Sequence, residues 1–158
     1  MKPASLGIIK KELQRKSGDE LEELVLRLTK FKVENKELLT YLLFDIDDEA
    51  GFIENIKRNL DSLFEAINTA NFYYIKKGIR RILRTLKRYI RYSQNKETEV
   101  ELLLYFCEKI MNFEPSIKSN KAMMYLFEKQ KELIAKRILL LHEDLQYDYN
   151  LELETLTF

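Results

Sequence analysis

Hydrophobic and polar residues recur along this chain at a period that fits helices almost throughout. The clearest stretch is Asn71–Ser93, where Ile75, Ile79, Ile82, Leu83, Leu86 and Ile90 fall on one face when turned at about 100° per residue. Upstream, Leu6, Ile9 and Leu13 stripe a predicted helix over 3–16, and Leu21, Leu24, Val25 and Leu28 a second over about 20–31. Ser17-Gly18-Asp19 separates them, with Gly18 expected to end the first helix and Asp19 to cap the second. A short third helix over 36–44 is apolar nearly all round, a pattern that predicts a central, buried element. A fourth runs from about 49 to 70 on Phe52, Ile53, Ile56, Leu60, Leu63, Phe64 and Ile67, capped at its start by Asp47 or Asp48. Asn71 is placed to cap the helix of 71–93, and Asn95 closes that region.

Past Asn95, a helix over 97–112 starts on three acids and becomes apolar all round from Leu102 to Cys107. Pro115 and the loop of 116–120 interrupt it, and a last long helix is predicted over about 121–147. Leu151-Glu152-Leu153-Glu154 alternates like a strand, but one short strand makes no sheet. The expected fold is therefore all-α, with six or seven antiparallel helices forming an irregular bundle or a short α-α superhelical array. At the level of architecture alone this looks like an armadillo or HEAT-type array. Residues 1–147 are expected to form a single helical domain and 148–158 an acidic C-terminal tail. A faint repeat supports the array: Tyr41 and Tyr105 are 64 residues apart in similar contexts, and Leu63-Phe64-Glu65 answers to Leu126-Phe127-Glu128 at an offset of 63.

Composition changes this picture little. A chain of 158 residues with 46% hydrophobic and 34% charged side chains is long enough to bury a core and too apolar for disorder. Four glycines are too few for a Walker loop or a dinucleotide fingerprint. No apolar run approaches the roughly 18 residues of a membrane span. Lys10, Lys11 and Glu12 stand where a signal peptide needs its apolar centre, so none is expected. A single cysteine suits a reducing, cytoplasmic setting.

Charge changes it more. Nine of the 27 Lys and Arg, and none of the 26 acids, lie between Asn71 and Lys96, so the overall +1 hides strong segregation. Lys77, Arg80, Arg84, Arg88 and Arg91 oppose the apolar face of this helix, and Lys76, Arg81 and Lys87 widen the basic surface. Tyr74, Gly78, Thr85 and Tyr92 share a flank, and Gly78, costing about 1 kcal/mol in a helix interior, suggests a close helix neighbour there. Like charges four residues apart, such as Arg80–Arg84 and Arg84–Arg88, cost about 0.2–0.5 kcal/mol each. Something acidic is expected opposite. One source is the protein itself, through Glu97, Glu101 and Glu108 of the following helix or Glu54, Asp61 and Glu65 of the preceding one. The acidic end (Glu143, Asp144, Asp148, Glu152, Glu154) is a third internal source, expected to fold back on the helix or to occupy its groove. The others are an acidic protein partner and the phosphates of a nucleic acid, with tyrosines to stack on bases.

Catalytic signals are weak. Asp45, Asp47, Asp48 and Glu49 resemble a calcium loop only until Ala50 and Ile56 fall where Gly and Glu are required. His142 is the only histidine and is expected on the surface near the end of the last helix. Cys107 lies in the most apolar stretch, where a thiol behaves as a small hydrophobe with a raised pKa. No metal or cofactor is expected. The reading is a non-catalytic helical interaction or scaffold module. Its contact surface is Lys77, Arg80, Arg81, Arg84, Lys87, Arg88, Arg91, Tyr74 and Tyr92, and its partner is a protein or a second copy of itself, with nucleic acid as the alternative and no membrane role.

Overall fold

A computed structural model describes residues Met1–Phe158, which are helical without strands. The eight α-helices are α1 (Leu6–Leu13), α2 (Gly18–Phe31), α3 (Val33–Thr40), α4 (Glu49–Glu65), α5 (Phe72–Ser93), α6 (Lys96–Met111), α7 (Lys121–Ile138) and α8 (Glu143–Thr155). A single π turn, Tyr41–Asp45, follows α3. The chain divides into two compact units, Met1–Leu43 and Phe44–Phe158.

The first unit holds α1, α2 and α3, with α2 packed on α3. Ser17 rather than Asp19 caps α2: its hydroxyl accepts from the Glu20 amide, and the Glu20 carboxylate accepts in return from the Ser17 amide at 2.8 Å. This reciprocal box draws Gly18 into the first turn of the helix. None of the three helices has a buried residue. The expectation of a buried third helix is overturned here. Tyr41 is buried, but Leu42 and Leu43 are exposed, as is Phe44, the next residue, at the start of the second unit. An all-round apolar sequence requires cover on every side, and this segment has it on one.

The second unit has a true core. Its centre is α6, which packs against α4, α5, α7 and α8. Leu102, Leu103, Phe106 and Cys107 are fully buried, as the all-round apolar pattern of this stretch predicts. Around them close Leu60 and Phe64 of α4, Ile75, Ile79 and Leu86 of α5, and Phe127 and Ile134 of α7. Caps set the helix starts. Asp48 accepts from the Gly51 amide, Asn71 from the Tyr74 amide, Asn95 from the Glu97 and Thr98 amides, and Asn120 from the Met123 amide. At the end of α5, Gln94 takes a left-handed conformation (φ 56°) and its amide donates to the Ile90 carbonyl.

Several helix ends differ from expectation. α1 spans Leu6–Leu13 and not 3–16, and α3 spans Val33–Thr40, ahead of the 36–44 expected. α4 stops at Glu65 with Ala66 as its C-cap, and a short connection leads to Asn71, the cap of α5. The last predicted helix is two. It stops at Ile138, turns through Leu139–Leu141, and restarts with His142 as the cap of α8. The second helix runs on to Thr155, so the alternating segment is helical, and Leu156 behind it is buried. No helix is long and apolar enough to cross a membrane.

Candidate functional site: the basic face of α5

The amphipathic pattern of α5 is realised closely. Ile75, Ile79, Ile82, Leu83, Leu86 and Ile90 are buried, and the helix packs this face on α4 and α6. Lys77, Arg80, Arg84, Lys87 and Arg91 are exposed at spacings of three and four, which sets them in one stripe. From Lys77 to Arg91 it runs about 21 Å at a helical rise of about 1.5 Å per residue. Arg81 is exposed beside it and Lys76 half-buried.

The flank is tighter than the stripe. A Cβ added at Gly78 would sit 2.9 Å from Cγ1 of Ile67, so the close neighbour of this glycine is the connection leaving α4 and not the helix expected there. Two residues assigned to the contact surface depart from it. Tyr92 is buried, 9% exposed, and Arg88 is half-buried, with its guanidinium 5.5 Å from the centre of the Tyr89 ring. Helical periodicity places Arg88 on the basic face and Tyr92 on its flank, but the packing of the last turns of α5 decides which of these side chains reach water. Conversely Tyr73 is 64% exposed and meets the exposed Tyr74 edge-on, with ring centres 5.4 Å apart. Its position in the first turn, beside the stripe's beginning, is the sequence signal for it.

Four of the six acids expected on the helices flanking α5, Glu54, Asp61, Glu97 and Glu101, are committed elsewhere. Glu101 accepts from Lys57 at 2.6 Å, which Glu54 also holds at 3.3 Å. Asp61 accepts from Lys109 at 2.9 Å and from the Tyr105 hydroxyl at 2.5 Å. Glu97 accepts from the Tyr149 hydroxyl at 2.9 Å. Glu99 accepts from Arg137 at 3.0 Å. Glu65 and Glu108 form no ion pair. The acidic end does not neutralise α5 either: α8 packs on α6 and α7, and the Leu156 carbonyl accepts from Lys131 at 2.7 Å. Lys76, Lys77, Arg80, Arg81, Arg84, Lys87 and Arg91 consequently have no ion-pair partner in the protein. The stripes of α4 and α6 that carry these acids are turned toward each other and toward α7 and α8. Sequence spacing groups residues on a face but does not say which neighbour the face meets.

The other chemical groups are occupied structurally. Glu49 near the start of α4 receives the Ser93 hydroxyl and, at 2.6 Å, the hydroxyl of buried Thr98, which ties α4 to the junction of α5 and α6. A cleft of about 580 Å³ is lined by Lys57, Glu101, Tyr105, Glu108, Tyr149 and Glu152 among others. Burial, reinforced by the carboxylates that accept from them, pushes the Tyr105 and Tyr149 phenols well above the ordinary tyrosine value and keeps them as donors. Burial and then the nearby Glu101 push Glu152 up. Cys107 is buried and burial pushes its thiol up to about 12, far from the thiolate a nucleophile needs. His142 is exposed at the start of α8, where its Nδ1 accepts from the Asp144 amide at 3.4 Å, and not near a helix end as expected. No group of three or more His, Cys, Asp or Glu is placed to hold a metal ion.

No family model, curated protein or solved structure matches this chain.

Proposed function

We propose that this protein is a non-catalytic interaction module of the cytoplasm that holds an acidic protein partner on the exposed basic face of α5. The observation that supports this is the stripe from Lys77 to Arg91, whose cations meet no acid of the protein itself. Five aligned charges left unpaired repel one another, and an acidic partner removes that cost. The fold serves the stripe by burying the opposite face of α5 on α4 and α6, which holds the charges in register. Phe64 and Phe127, both buried, hold matching positions in the 63-residue offset, which fits a scaffold grown by duplication.

The exposed Tyr73–Tyr74 pair at one end of the stripe favours a second reading, in which the partner is a nucleic acid. Phosphates would lie along Lys77–Arg91 and a base would stack on a tyrosine. One titration separates the readings. Labelled DNA and RNA, single- and double-stranded, and an acidic peptide are titrated by fluorescence anisotropy across a salt series. The comparison is Arg80→Glu/Arg84→Glu/Arg91→Glu, which avoids half-buried Arg88. If five phosphates are engaged, log affinity for duplex falls with log salt at a slope of about −4.5, and the variant loses about three of those contacts. Binding of the peptide alone supports the protein reading. Binding that the triple reversal leaves unchanged would rule out α5 as the contact surface for either.

A further inference from the structure

The first unit leaves its own apolar face uncovered. In α2, Leu24, Val25, Leu28 and Phe31 continue the stripe begun by half-buried Leu21, and all four are exposed, Leu28 at 62% and Phe31 at 77%. Such a contiguous apolar stripe on a 14-residue helix marks a surface built to be covered.

The charges of the same helix say what covers it. Asp19, Glu20, Glu22 and Glu23 fill its first half without a base, and Arg27, Lys30 and Lys32 fill its second half and C-cap without an acid. All seven are exposed. Two copies of α2 laid antiparallel run the acidic half of each along the basic half of the other, twice over, around a two-fold axis between Leu24 and Leu28, with Glu20, Arg27 and Lys32 the charges that flank the seam. Laid parallel, they set like against like. The spacing Leu21, Leu24, Leu28, Phe31 is the three-four repeat of a coiled-coil seam. A self-complementary patch is what a two-fold dimer requires.

We propose that the protein forms an antiparallel dimer through α2, with the apolar stripe as its core and the acid-to-base halves setting its direction. This is independent of the reading of α5. The full chain is examined by sedimentation equilibrium over a concentration series, together with Leu24→Glu/Leu28→Glu, whose exposed positions leave the fold intact by circular dichroism. Direction is read from Leu21→Cys and Phe31→Cys chains under oxidation, since the antiparallel seam sets Leu21 of one copy opposite Phe31 of the other. The expected result is a concentration-dependent dimer that salt weakens and that the double variant weakens by about tenfold or more. Mixed Leu21→Cys and Phe31→Cys chains cross-link, and neither does alone. A monomer at every concentration up to about 0.5 mM, a dimer indifferent to the double variant, or cross-linking of Leu21→Cys with itself would each overturn the proposal.

Discussion

Single residues in the second unit show how charge is put to structural use. Burial works against the Asp61 carboxylate, but hydrogen bonds from Lys109 and Tyr105 outweigh it and hold its pKa below the ordinary carboxylate value. A carboxyl lowered in the folded state stabilises fully above its unfolded value of about 4 and loses that contribution as pH falls through the lower folded one. Asp61 and Lys109 are both more than one-third exposed, so screening limits the contribution to about 1 kcal/mol or less. Urea denaturation of Asp61→Asn should therefore show a deficit at neutral pH that closes as pH falls below about 4. A deficit constant with pH would assign the contact to packing alone. Glu152 is the opposite case, raised by burial and then by Glu101.

Elements follow the same physics at longer range, and α5 carries the clearest test. Glycine in a helix interior costs about 1 kcal/mol against alanine, so Gly78→Ala should stabilise an isolated helix. Here the new Cβ would lie 2.9 Å from Ile67, so the substitution should yield no gain in melting temperature. Gly7→Ala in α1, with nothing within 4 Å, is the control that keeps its propensity gain. A gain at Gly78 matching Gly7 would show that Ile67 moves aside without cost. Much of this level was readable from sequence, because caps and periods are local. Asn71 and Asp48 cap the helices they precede, and the buried apolar face of α5 is as its period requires. What was not readable depends on neighbours. The segment of 38–44 and the centre of α6 are equally apolar, yet only α6 is enclosed by other helices. Glu54, Asp61, Glu97 and Glu101 lie on regular stripes of α4 and α6, but tertiary packing gave them to Lys57, Lys109 and two tyrosines rather than to the cations of α5. The stop after Ile138 has no Gly or Pro to announce it; its one local trace is Glu143-Asp144, acids suited to a helix start.

At the scale of the whole molecule the two units differ in what holds them. The second buries a continuous core around α6, whereas α1 to α3 bury no side chain of their own. Local opening should thus require less free energy in residues 1–40 than in α6. The chain carries a reporter that distinguishes the two. Cys107 is its one thiol, fully buried in α6 and pushed up to about 12 by that burial. An alkylating reagent at neutral pH meets neither an accessible sulfur nor a thiolate until α6 separates from its neighbours. Labelling should proceed at the rate at which the second unit opens, and remain slow in denaturant concentrations that already release amide protection in α2. Loss of both signals together would mean that the units unfold as one. The native cysteine is in this sense a stopwatch that starts only when the core comes apart, and thiols placed on the surface can be modified beside it without removing it.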